Sequence, residues 1–130
     1  MASIFSRIVA GEIPCYKILE DENFLAFLDV FPLVVGHTLV IPKKEIDDFF
    51  DMDDQTIGEM MIFSKNVAEA IKKAIPCIKV GVSVIGLEVA HAHIHLIPLN
   101  DVSNMNFSQA KLTMSHADLN EIAANIRANL

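Results

Sequence analysis

Basic residues are scarce in this chain. Ten lysines and arginines stand against seventeen aspartates and glutamates, a formal net charge of −7 over 130 residues. Nonspecific binding to a nucleic-acid backbone needs a basic face, and the pattern shows none. Cysteine is nearly absent too. Cys15 and Cys77 are isolated and carry no framework spacing, so a disulfide scaffold is excluded and two buried thiols in a reducing, cytoplasmic setting are expected. No apolar run is long enough to span a bilayer, and Met-Ala-Ser-Ile-Phe-Ser-Arg lacks the basic-then-apolar layout of a secretory leader. Glycine and proline number five each, while 52% of the residues are hydrophobic, the balance of a packed globular chain. One domain spanning 1–130 is expected. No internal repeat, low-complexity tract or linker interrupts it.

Hydrophobic periodicity places the elements. Ile4–Val9 has the pattern of a short amphipathic helix ended by Gly11, with Pro14 beyond. Tyr16–Glu20 and Phe24–Leu28 have strand patterns joined by the turn Asp21-Glu22-Asn23, and Thr38–Ile41 is a β-rich stretch stopped by Pro42. Ile57, Met60, Met61, Ser64, Val67, Ala68, Ile71 and Ile75 fall on one face at helical spacing, with Asp51 or Asp53 as the cap and Pro76 as the stop. Lys79–Ile85 and Ala90–Ile97 are expected strands. Ser115 opens a last helix with an apolar stripe of Leu119, Ile122, Ala123 and Ile126, and His116 is expected as an exposed first-turn residue outside any site. The order α-β-β-β-α-β-β-α predicts an α+β fold with a mostly antiparallel sheet. Lys43-Lys44, the one basic pair in the first half, is expected to be a solvated strand end.

The chemistry is concentrated in His91-Ala92-His93-Ile94-His95-Leu96-Ile97-Pro98, which holds three of the five histidines. At a side-chain period of two, His91, His93 and His95 share one face, and Ala92, Ile94 and Leu96 share the other. The residues allow three roles: satisfied polar groups on a half-exposed sheet, metal ligands completed by His37, Glu88 or an aspartate, or a nucleophile flanked by proton donors.

This stretch matches His-apolar-His-apolar-His-apolar-apolar, and the chain resembles the histidine triad (HIT) nucleotide hydrolases and transferases. Ile4-Phe5-Ser6-Arg7-Ile8 with Gly11-Glu12-Ile13-Pro14, Leu28-Asp29-Val30-Phe31-Pro32, and Gly36-His37-Thr38-Leu39-Val40-Ile41-Pro42-Lys43 extend the resemblance from about Ile4 to Pro98. The tail over 99–130 lies outside it.

The resemblance implies a five-stranded, mostly antiparallel sheet with a long central helix and a C-terminal helix. It implies hydrolysis of a purine nucleotide derivative, a phosphoramidate first and a dinucleoside polyphosphate next, at the α-phosphate. His93 would be the nucleophile, with His91 and His95 flanking it and His37 as a fourth histidine nearby. Asp29 would accept from the ribose hydroxyls, and Ile4, Phe5, Ile8, Leu28 and Val30 would line the base pocket. It also implies a homodimer, for which the Met60/Met61 face is a candidate surface, and no cofactor.

Two departures stand out. Many family members bind structural zinc through a Cys-x-x-Cys where this chain has Ser3 and Ser6, so no metal is expected. The family's Asn and Gly-Gln-Ser/Thr-Val phosphate loop is replaced by Gly86-Leu87-Glu88-Val89, with Ser83 the nearest polar candidate on the strand. Glu88 either faces solvent or favours a cationic leaving group such as an amine. The alternative to catalysis is a nucleotide-binding or scaffold protein with weak or no turnover.

Overall fold

The computed structural model describes residues 2–130. Helix α1 (Ile4–Val9) opens on Ser3, whose hydroxyl accepts the Ser6 amide at 3.0 Å. It closes at Gly11, whose φ of +80° suits a residue without Cβ. Strands β1 (Lys17–Glu20) and β2 (Phe24–Leu28) form the expected hairpin. The Asp21 carboxylate accepts from the amides of Asn23 and Phe24, both at 2.8 Å, which makes the turn. Strand β3 (Thr38–Pro42) pairs with β2, helix α2 (Asp54–Ala74) follows, and β4 (Lys79–Ser83) and β5 (Ile94–Leu99) complete one antiparallel sheet. Its order is β1-β2-β3-β5-β4. Helix α3 (His116–Arg127) starts at the Ser115 cap and packs on α2, β1 and β2.

Both faces of the sheet are apolar at its centre, so β2 and β3 are buried on both sides. One face carries Ala26, Leu28, Val40, Ile94 and Leu96 against Met60, Phe63, Val67 and Ile71 of α2 and Leu119 and Ile126 of α3. The opposite face carries Leu25, Phe27, Leu39 and Ile41 beneath Phe5 and Ile8 of α1. The histidines belong to this second face. Leu39 pairs with both Phe27 and His95, and His95 with Ser83, so Phe27, Leu39, His95 and Ser83 form a row across the strands.

Four expectations need correction. The last strand starts at Ile94 rather than Ala90, because the amides of His91 and Ala92 are taken by Val89 and Ile46 instead of a neighbouring strand. The β4 strand ends at Ser83, where pairing with β5 stops. The helix α2 stripe packs inward as expected except at Met61, which is exposed; Phe63 and Ala70 join the buried face, and Met60, fully buried, cannot serve an outer surface. Cys15 and Cys77 are half-buried free thiols. Among the described residues no helix is long and apolar enough to cross a membrane.

Candidate active site

Hydrogen-bond chemistry fixes where each imidazole carries its proton. His93 Nδ1 lies 2.8 Å from the His91 carbonyl, which can only accept. The proton of neutral His93 therefore sits on Nδ1, and Nε2 holds a free lone pair. The amide of Leu33 donates to His37 Nδ1 at 3.1 Å, so the His37 proton is on Nε2. That Nε2 lies 2.9 Å from His95 Nδ1, which accepts it, and the His95 proton is left on Nε2. His93 and His95 stand with ring centroids 4.8 Å apart. The result is one bare imidazole nitrogen beside one N–H, the pair that nucleophilic attack and hydrogen bonding to a departing group require.

His91 is fully buried and lines neither of the cavities at the site. Its Nε2 donates to the Pro42 carbonyl at 2.7 Å, and its Nδ1 accepts from the Ser3 hydroxyl at 2.8 Å. Ser6 Oγ donates to Glu45 at 2.8 Å, and the Ser3 amide does so at 2.6 Å. These two donors, the amide first, hold the Glu45 carboxyl down to about 2. This cluster holds the two serines at the positions where the resemblance would put zinc-binding cysteines, and it does not fit zinc. Two neutral hydroxyls stand in place of two thiolates, and both hydroxyls and both nitrogens of His91 are already engaged within the protein.

Burial favours the neutral form of His37 and His95. It brings His37 down to about 3, with His95 and Lys111 adding to the effect, and His95 to about 4, with His93 and Lys111 adding. Burial also lowers His91. A second potential ligand group, Asp29, His37 and His95, has its atoms within 4.8 Å of one another. His37 and His95 are joined there by a direct hydrogen bond, so a cation would have to displace the proton between them.

Two cavities flank the histidines. One, of about 320 Å³, is lined by Ile4, Phe5, Ile8, Leu28 and Val30 together with Phe27 and Leu39. The other, of about 180 Å³, is lined by His37, Gly86, Leu87 and Phe107. They meet at Asp29, Glu88, His93, His95 and Lys111, which line both. Asp29 arrives because its amide bonds the His37 carbonyl at 3.0 Å, extending the β2–β3 ladder by one pair. Its Oδ1 accepts from the Phe31 amide at 2.9 Å, Oδ2 lies 3.7 Å from His37, and burial raises its pKa. Gly36, at φ +94°, turns the chain into His37.

The structure therefore brings together every expected site residue except His91, which stands behind the site, and Ser83, which shares the row of His95 without lining a cavity. Glu88 is exposed yet on the rim of both cavities. Sequence reasoning missed Phe107 and Lys111. Phe107 packs edge-on to His95 at 4.8 Å and to His37 at 6.3 Å. The signal available was an aromatic and a lysine in an otherwise polar tail. Lys43 is a partly exposed strand end paired with Glu20 at 2.8 Å. His116 bonds Tyr16 at 2.6 Å, and neither residue lines the cavities at the histidines.

An all-antiparallel five-stranded sheet with a histidine row at its centre and an apolar pocket beside it defines a histidine-triad fold. The HIT domain family model matches residues 10–102, and the chain belongs to the HIT family. It is 35% identical to an uncharacterized HIT-like protein of Borreliella burgdorferi, over 98% of this chain and 97% of that protein. It is 36% identical to an adenosine 5'-monophosphoramidase of Saccharomyces cerevisiae, over 77% of this chain and 64% of that protein. The crystal structure of a Hit-like protein from Bartonella henselae superposes with a TM-score of 0.85 at 32% identity, covering 98% of this chain and 96% of that one.

Proposed function

We propose that this protein hydrolyses a purine nucleotide derivative at its α-phosphate through a covalent nucleotidyl-His93 intermediate. The observation that carries the reading is the bare Nε2 of His93, on a residue that lines both cavities, beside the N–H of His95. The base enters the apolar cavity between Ile4, Phe5, Ile8, Leu28 and Val30. The ribose hydroxyls donate to Asp29, which lines both cavities.

The His93 lone pair forms a bond to the α-phosphorus as the bond to the leaving group breaks. The leaving group departs with that electron pair and takes a proton from water, while His95 Nε2–H donates a hydrogen bond to the charge developing there. The positive charge that develops on His93 is stabilised at Nδ1 by the His91 carbonyl, so His91 acts as a positioning residue through its backbone. The hydroxide left by that proton transfer then bonds to phosphorus through its oxygen. The phosphorus–nitrogen bond breaks, its electron pair returns to His93, and a nucleoside monophosphate leaves. Neutral His37 donates to His95 Nδ1 and keeps that ring in the tautomer required.

Membership of a family that includes an adenosine 5'-monophosphoramidase supports a phosphoramidate as the first substrate class, with dinucleoside polyphosphates second. Glu88 on the rim supports an amine leaving group, since a carboxylate there attracts a developing cation and repels a further phosphate. We further propose a homodimer joined along the outer edge of β4 and the segment that follows it, where Val82 and then Val84, Ile85 and Leu87 are exposed.

The test is release of AMP from adenosine 5'-phosphoramidate with a chelator present. Wild type is expected to release AMP, His93→Ala to lose at least about 10³-fold in rate, and Glu88→Ser to shift the ratio of phosphoramidate to dinucleoside polyphosphate turnover. Nucleotide binding without turnover of either substrate would favour the binding-protein reading. An equal effect of Glu88→Ser on both substrates would remove the leaving-group argument.

A further inference from the structure

We propose that Lys111, from the tail outside the family match, is the residue that binds the substrate's α-phosphate. The inference rests on the nucleotide reading above and extends it to a residue that the family motifs do not contain. A phosphorus within reach of His93 must sit where the two cavities meet. Five side chains surround that place, and two of them, Asp29 and Glu88, are carboxylic acids. The other two besides Lys111 are His93 and His95, and His95 stays neutral at physiological pH. Lys111 is the single lysine or arginine that lines either cavity among the described residues. Without it a phosphate would meet two acids and the neutral His95 ring in a chain that is already acidic.

The lysine is held in place. Its Nζ donates to the Phe107 carbonyl at 3.0 Å and lies 5.8 Å from the centre of the Phe107 ring. That ring rests on His95 and His37, and the next residue is tethered to the sheet side by Leu112 N donating to the Pro32 carbonyl at 2.8 Å. An ammonium has three donors, so two remain for phosphate oxygens. The described ion pairs do not include Lys111, whose charge acts on Asp29 across the cavities without a direct pair. The stretch Gly86-Leu87-Glu88-Val89 offers no side-chain donor to a phosphate. The tail thus supplies from the other side the positive group that this loop lacks.

The experiment compares AMP with adenosine, two ligands that differ by the phosphate alone, by titration calorimetry of the full chain. Wild type, Lys111→Met and Lys111→Arg are measured at low and moderate salt. Lys111→Met is expected to weaken AMP about tenfold or more at low salt, to leave adenosine within about twofold, and to flatten the salt dependence of AMP binding. Lys111→Arg is expected to restore most of the AMP affinity. Equal AMP affinity in wild type and Lys111→Met overturns the proposal while leaving the nucleotide reading intact. Equal loss of AMP and adenosine also overturns it, because that pattern means a structural role for the tail. Failure of wild type to bind AMP would remove both.

Discussion

At the scale of single residues, three imidazoles owe their roles to one hydrogen bond each. The His91 carbonyl, the Leu33 amide and the His37–His95 bond place protons such that Nε2 is bare on His93 and protonated on His95. The same burial has a cost in acid. The unfolded chain takes up protons at its histidines near the ordinary value of about 6.5, while folded His95 and His37 resist until about 4 and about 3. Between those values the unfolded state binds more protons, so stability is full above about 6.5 and declines as pH falls toward 4. Each histidine contributes a slope of up to about 1.4 kcal/mol per pH unit. Glu20 and Glu45, both held near 2, act lower, between the ordinary carboxylate range and 2. Urea unfolding of wild type is expected to weaken from pH 6.5 to 4.5, and His37→Gln to lose part of that slope. Parallel pH profiles for the two proteins would contradict the account.

At the scale of elements, caps and turns were legible because their chemistry is local. The bounds of α1, the Asp21 turn and the Ser115 cap follow from residue types whose side chains bond their own backbone. The choice between Asp51 and Asp53 for α2 was not legible, since both precede the helix by a few residues. The structure decides it. Asp53 accepts the Thr56 amide at 2.7 Å, whereas Asp51 belongs to a separate 3₁₀ turn. Asp53→Ala is expected to cost about 1 kcal/mol and Asp51→Ala a few tenths at most. Chemical denaturation of the two variants measures this, and equal effects would mean that the cap does not hold α2. The full width of the α2 face escaped the sequence for a different reason. All of the periodic stripe but Met61 packs inward, and Phe63, outside that stripe, is buried as well, its ring centre 5.6 Å from that of Phe24.

At the scale of the whole molecule, the sequence told which residues are chemical but not how the chain returns to them. The alternation of His91 to Leu96 announced one histidine face and one core face, and both exist even though only His95 of the three histidines lies within a regular strand. The insertion of β5 between β3 and β4 carries no local signature, yet it sets Leu39 beside His95 and so joins the apolar pocket to the histidines. The tail was equally silent. Residues 106–112 have no periodicity, and their place over the site comes from Phe107 against two histidines and one bond to Pro32. The outer edge of β4 leaves the sheet open on one side, and the proposed pairing there predicts the mass of two chains in light scattering. A single-chain mass at micromolar concentration would contradict that pairing without touching the chemistry.

The central claim is that the reaction passes through a bond between His93 and phosphorus. Two in-line displacements each invert the phosphorus, and together they restore its configuration. The most direct measurement is the stereochemical course of hydrolysis of an adenosine 5'-phosphoramidothioate of known configuration in isotopically labelled water. The account predicts net retention at phosphorus. Net inversion would mean that water attacks the substrate directly, and His93 would then have no covalent role.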